Sequence, residues 1–152
     1  MNENNIQNKT IIQLIEEVVD TAKKERWPMM YDTLADAFYW TKSKISDGAK
    51  LIQLSRETAF YVTPAGEMDG IFIQPFKNNF LTENQDVAEI TNFFEEKSGD
   101  EMLTISRAQE EKIQPFIVGF SESIKKDIYR DALEADYSLK ELQNVVDAAL
   151  AG

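Results

Sequence analysis

The sequence predicts an α+β domain, a small antiparallel sheet packed with an N-terminal helical pair and C-terminal helices. Three observations carry this expectation. Apolar residues recur at helical spacing over residues 10–26. Between Lys50 and Gln74 they switch to strand-like runs whose connections are too short for parallel crossovers. Capping-box patterns then reappear at Thr82, Ser106 and Ser138. With 152 residues, 43 % of them hydrophobic, the chain is large enough for one domain with its own core. That domain is placed at 9–152, after a flexible Asn/Gln-rich stretch at 1–8.

In the first helix, Ile11, Leu14, Ile15, Val18 and Ala22 share one stripe. Acids lie early and Lys23, Lys24 and Arg26 late, which complements the helix dipole. Pro28 predicts the start of a second helix running to about Lys44. Met30, Leu34, Ala37 and Phe38 would form its apolar face, with Asp32 and Asp36 opposite. Ser46-Asp47-Gly48 supplies the turn that ends it. Strands are expected at 50–54, 59–63 and 71–74 as a three-strand meander, closed by Pro75. Thr82 to Gln85 opens a helix to about Ser98, with Val87, Ile90, Phe93 and Phe94 inward. Residues 102–105 make a possible fourth strand. A helix from 106 towards Ala135 carries Pro115 and Gly119 as expected kinks or breaks. A terminal helix from Ser138 turns Leu142, Val145, Val146 and Leu150 inward. The motif Ile-Gln-Pro-Phe, with a further Phe four positions on, occurs at 73–80 and again at 113–120. The flanks of the two copies differ, and coincidence explains the match better than a structural repeat.

Composition then bounds the chemistry. The chain contains no histidine and no cysteine. This removes the usual proton-transfer side chain near neutral pH, the thiolate nucleophile, and every His/Cys metal, haem or iron–sulfur site. No phosphate loop, dinucleotide fingerprint, nucleophile elbow or calcium loop is present. The expectation is no catalytic residue, no cofactor, no metal and no enzyme. The acids of loops, Glu67, Asp69, Asp100 and Glu101, keep a small carboxylate hydrolase as the least favoured alternative. Without cysteine, a basic leader or a spanning segment, the chain is expected to be cytoplasmic.

The charge is lopsided. Asp and Glu outnumber Lys and Arg by 27 to 16, for a net −11. Phosphate-rich nucleic acid and anionic membranes are disfavoured partners, while a basic protein is steered towards the chain. Seven acids and one base, Lys97, lie between Glu83 and Glu101 and supply −6 of that total. Glu83, Asp86, Glu89, Glu96 and Asp100 are therefore the candidate protein-interaction residues. Trp27 and Trp40 join them as aromatic anchors, because the face of Leu34 and Phe38 cannot hold Trp27, Tyr31, Tyr39 and Trp40 together. The competing reading is a solvated acidic helix face. The pattern fits a small acidic interaction protein of bacterial or phage type that neutralises or chaperones a basic partner. An immunity protein or inhibitor of a nuclease toxin would match, as would an inhibitor of a defence protein. A homodimer is compatible with the same features. The alternative is a ligand-sensing or regulatory domain with a pocket lined by Phe60, Phe72 or Phe116.

Overall fold

The computed structural model describes residues 11–96, 102–106 and 109–134, with Asn144. Residues 1–10, residues 97–101 with Asp100, and the terminal helix expected from Ser138 lie outside the described residues, Asn144 apart. The architecture is α+β, as the sequence predicts. Helix α1 spans Ile11–Lys24, and seven strands follow: β1 (Met29–Asp32), β2 (Ala37–Thr41), β3 (Lys50–Gln53), β4 (Thr58–Val62), β5 (Met68–Ile73), β6 (Glu95–Glu96) and β7 (Met102–Thr104). They form one antiparallel sheet in the order β3-β4-β5-β2-β1-β7-β6. Between β5 and β6 lie a π-helical turn at Phe76–Phe80, the short helix α2 at Leu81–Glu83 and a 3-10 helix at Gln85–Phe93. Helix α3 spans Glu110–Glu134.

Helix α1 forms as expected, with Leu14, Ile15, Val18, Val19 and Ala22 buried. Its end is a Schellman turn: the Trp27 N–H reaches the Ala22 carbonyl and the Arg26 N–H that of Lys23, with Arg26 at φ 55°. This turn folds Trp27 back over Ala22.

The expected second helix is instead the β1–β2 hairpin. The stretch is rich in aromatics, and Tyr31, Phe38 and Trp40 alternate with half-buried Met30, Asp32 and Tyr39. The turn is built by two aspartates. Asp32 Oδ1 accepts the backbone N–H groups of Leu34 and Ala35, and Asp36 adopts φ 53°. Leu34, assigned to a buried face on the helical reading, is 76 % exposed in this turn. Asp36 also turns inward. Its carboxylate accepts the Tyr31 hydroxyl and the N–H groups of Lys77 and Asn78, which ties the hairpin to the π-helical turn.

The meander β3-β4-β5 has the expected antiparallel pairing. It joins the rest of the sheet through β5 on β2, with Phe72 opposite Tyr39. The fourth strand exists as β7, but it pairs with β1 and β6 rather than with the meander. One cross-strand row runs Gln53–Ala59–Phe72–Tyr39–Met30–Thr104, and a neighbouring row runs Leu51–Tyr61–Gly70–Thr41. Both rows lie on the sheet face opposite the core. The core face presents Phe38, Trp40, Phe60, Ile71 and Ile73 to the helices.

Helix α3 is continuous despite Pro115. Its stripe of Ile113, Ile117, Phe120, Ile124 and Ile128 is buried throughout, and this packing holds the helix across one missing backbone bond. Gly119 is not a break but a close approach: a Cβ there would sit 2.8 Å from Cγ1 of Val87. Gly119→Ala should therefore destabilise the protein by about 1–2 kcal/mol in chemical unfolding, because overpacking outweighs the roughly 1 kcal/mol gain in helix propensity. A variant more stable than wild type would show that the contact yields at little cost.

The two Ile-Gln-Pro-Phe copies take unlike conformations. The first leaves β5 through a cis Gln74–Pro75 peptide, and the second lies within α3. Phe76, Phe80 and Phe120 nevertheless meet in one stacked cluster around Phe38.

Candidate functional site

The acidic block does not form the long helix expected from Thr82. The Thr82 hydroxyl donates back to the Asn79 carbonyl instead of capping, and Gln85 donates its amide to the Leu81 and Thr82 carbonyls. Asn84 interrupts the chain with φ −135°, and the 3-10 helix then begins. Its burial repeats every third residue. Val87 and Ile90 are buried with Phe93 half-buried behind them, Ala88 and Thr91 are intermediate, and Asp86, Glu89 and Asn92 are exposed. A 3-10 helix has about three residues per turn, so side chains three apart stand one above another. Asp86 and Glu89 thus form a solvent-facing acidic row. The row is backed by Val87 against Gly119, and the exposed Val118 is the next residue on that helix. Phe93 packs on Phe116 with ring centroids 5.8 Å apart. Glu95 is exposed in β6 opposite Thr104, in the outer row of the sheet, and Glu96 follows it in the same strand.

Glu83 leaves this group. Its carboxylate lies 2.9 Å from the Arg130 guanidinium, which also contacts Asp127 at 2.7 Å and Glu57 at 3.8 Å. Asp127 is fully buried and accepts hydrogen bonds from the hydroxyls of Ser55 and Thr58. Carboxylate oxygens of Glu57, Glu83 and Asp127 lie within 4.8 Å of one another. Three hard oxygen donors at that spacing resemble a cation site, but the Arg130 guanidinium already brings positive charge to all three. The cluster fastens the C-terminal part of α3 to the start of β4. Sequence reasoning missed it because its members lie at positions 55, 57, 58, 83, 127 and 130 and no local spacing connects them.

The two tryptophans are corrected. Trp27 and Trp40 are 7 % and 2 % exposed. The Trp40 indole N–H donates to the Trp27 carbonyl and that of Trp27 to Glu25. Packing on α1 and on the core face of β2 leaves neither available as a surface anchor. Phe60 is buried in the core, Phe72 lies on the outer sheet face, and neither they nor Phe116 line the cleft beside Trp27. That cleft, of about 990 Å³, lies instead between the end of α1 and the start of α3, with Trp27, Ile113 and Ile117 in its wall and Lys23, Arg26 and Glu110 at its rim.

Among the loop acids, Glu67 is exposed and Asp69 is buried in β5. Burial by itself would raise the Asp69 carboxyl. Hydrogen bonds from the Ser46 side chain and backbone, with the Lys42 ammonium 3.4 Å away, outweigh burial and hold it below the usual carboxylate range. A depressed carboxyl contributes stability above its unfolded value of about 3.9 and loses it as pH falls through the lower folded value. Asp69→Asn should therefore cost about 1.5–3 kcal/mol at pH 7 in urea unfolding. Its deficit against wild type should shrink as pH falls below about 4. A deficit that grows with acidity would reverse the assignment.

No family model, no curated protein and no solved structure matches the chain.

Proposed function

We propose that this protein binds a basic protein partner through the acidic row of Asp86 and Glu89 and acts by occluding that partner. The observation that carries the reading is the rigid display of this row. The 3-10 helix fixes the two carboxylates on one side while Val87 and Ile90 anchor the other in the core. A net charge of −11 adds long-range steering towards a cationic surface. Val118, 68 % exposed beside the glycine that touches Val87, supplies apolar contact where the buried tryptophans cannot. Neutralising a basic toxin or defence factor, as an immunity protein or inhibitor does, and chaperoning such a protein both fit this surface. The compartment in which partner and protein would meet is the cytoplasm.

The test is kinetic. Asp86→Lys with Glu89→Lys should slow association with the protein that co-purifies from the native host by about tenfold or more at low salt. It should also flatten the salt dependence of that rate. An unchanged association rate at low salt would remove the acidic row as the docking surface.

A second reading, small-ligand sensing, is favoured by the cleft beside Trp27, whose rim sets Lys23, Lys24 and Arg26 among Asp20, Glu110 and Glu111; an anionic metabolite would take the place of Glu110 on Arg26. A thermal-shift screen with carboxylates and phosphates would support it by a rise that Arg26→Ala abolishes, and no rise would end it.

A further inference from the structure

The cleft beside Trp27 joins an apolar floor to a rim whose charges are sorted by side. Trp27, Met29, Trp40, Ile105, Ile113 and Ile117 form the floor. Both indole N–H groups there are already engaged, that of Trp40 by the Trp27 carbonyl and that of Trp27 by Glu25. A group resting on this floor meets apolar surface and no open indole donor. On the rim, Lys23, Lys24 and Arg26 stand at the end of α1, with Asp20 a turn behind them. Glu110 and Glu111 face them from the start of α3.

One contact bridges the two sides. Arg26 Nε and Nη2 donate to Glu110 Oε1 at 3.0 and 2.8 Å. The Arg26 side chain is 60 % exposed and that of Glu110 27 %, so both can swing without disturbing the core. Arg26 reaches this place from a left-handed backbone, φ 55°, at a helix end where glycine is usual. A long cationic side chain kept on a strained residue points to a role beyond ending the helix.

We propose, resting on the ligand-sensing reading of this cleft, that it binds an apolar zwitterion, a free α-amino acid or a short peptide with aromatic or branched side chains. The charges that the ligand must meet select this class. A plain anion on Arg26 displaces Glu110, exchanges one ion pair for another and sets its own charge beside Glu110 and Glu111, which repel it. A plain cation on Glu110 meets the mirror problem with Arg26, Lys23 and Lys24. A zwitterion enters between the two sides. Its carboxylate accepts from the planar Arg26 guanidinium and its ammonium donates to Glu110, so each side of the rim keeps a counter-charge. Its side chain then lies on Trp27, Ile113 and Ile117 and leaves water. The cleft, of about 990 Å³, is near the upper end of the range for small-molecule sites and admits such a ligand whole.

Calorimetric titration of the full chain tests this at about pH 6, where an α-amino group is charged. The probes are phenylalanine, leucyl-phenylalanine, N-acetyl-phenylalanine, which keeps only the carboxylate, and phenylalanine amide, which keeps only the ammonium. The better of the two zwitterions should bind about tenfold or more tighter than either single-charge analogue, and which one is better tells free amino acid from peptide. Glu110→Gln should weaken that zwitterion about tenfold and leave N-acetyl-phenylalanine no weaker, while Arg26→Ala should abolish the binding of both. Circular dichroism of the two variants should match wild type, since both positions lie on the rim. N-acetyl-phenylalanine binding as tightly as the zwitterions, yet lost in Arg26→Ala, would overturn the zwitterion and leave ligand sensing standing. Zwitterion binding indifferent to Glu110→Gln would overturn it equally. No heat from any of the four probes would overturn it as well, and ligand sensing falls with it only where the carboxylate and phosphate screen is also silent.

Discussion

Arg130→Ala is expected to destabilise the protein by about 3–5 kcal/mol, measured as the fall in unfolding free energy from urea titrations. The guanidinium lies within 4 Å of Glu57, Glu83 and Asp127. Glu57 and Asp127 are 2 % and 0 % exposed, so their charges cannot turn to water when the cation is removed. Truncation leaves two buried carboxylates facing each other with no cation between them, and that penalty exceeds the worth of an ordinary surface pair. Arg130→Lys should recover only part of the loss, because all three contacts are made by Nη2 at the far end of the guanidinium, and the shorter lysine side chain ends before that point. Combining Asp127→Asn with Arg130→Ala should cost less than the sum of the two single changes, since it removes a charge together with its counter-charge. Strict additivity would mean that the residues act independently.

Phe38→Ala should cost about 4 kcal/mol, a drop of roughly 8–16 °C in Tm for a chain of this size. Phe38 is fully buried and its ring stacks on Phe76 at 4.5 Å and on Phe120 at 5.5 Å, with the Phe94 ring edge-on at 6.1 Å. These partners come from the π-helical turn, from α3 and from the segment before β6. Removing the ring therefore opens a void where three separate parts of the chain converge. Phe38→Leu keeps most of the volume and should cost about 1–1.5 kcal/mol. A loss below about 2 kcal/mol for the alanine variant would show that the cluster collapses around the gap.

Local pattern made α1 and the β3-β4-β5 meander legible, because each buries its face by a period visible within a dozen residues. The β1–β2 hairpin was hidden by Pro28 and by apolar residues that match both periods. What decides there is the Asp32–Asp36 turn and the density of aromatics. The sequence predicts a period of 3.6 after Thr82, yet burial at Val87 and Ile90 with exposure at Asp86, Glu89 and Asn92 follows a period of three. Of the candidate site, the solvent-facing acidity of Asp86 and Glu89 was legible for this reason under either period. The turn of Glu83 away from that row was not. It depends on Arg130, 47 positions later, and no sequence window contains both. Trp27 and Trp40 fall outside the core only on a helical reading of their stretch; in the fold both face inward.

The pairing of β1 with β7 has a consequence for synthesis. Asp32 pairs with Met102, 70 positions on. At about 5–20 residues per second, the outer edge of β1 waits roughly 4–14 s on the ribosome before its neighbour is made. During that interval the β1–β2 hairpin presents open backbone donors and acceptors beside Met30 and Tyr31, a template for wrong pairing between nascent chains. Aspartates close to that edge, Asp32 and Asp36, add charge that discourages it.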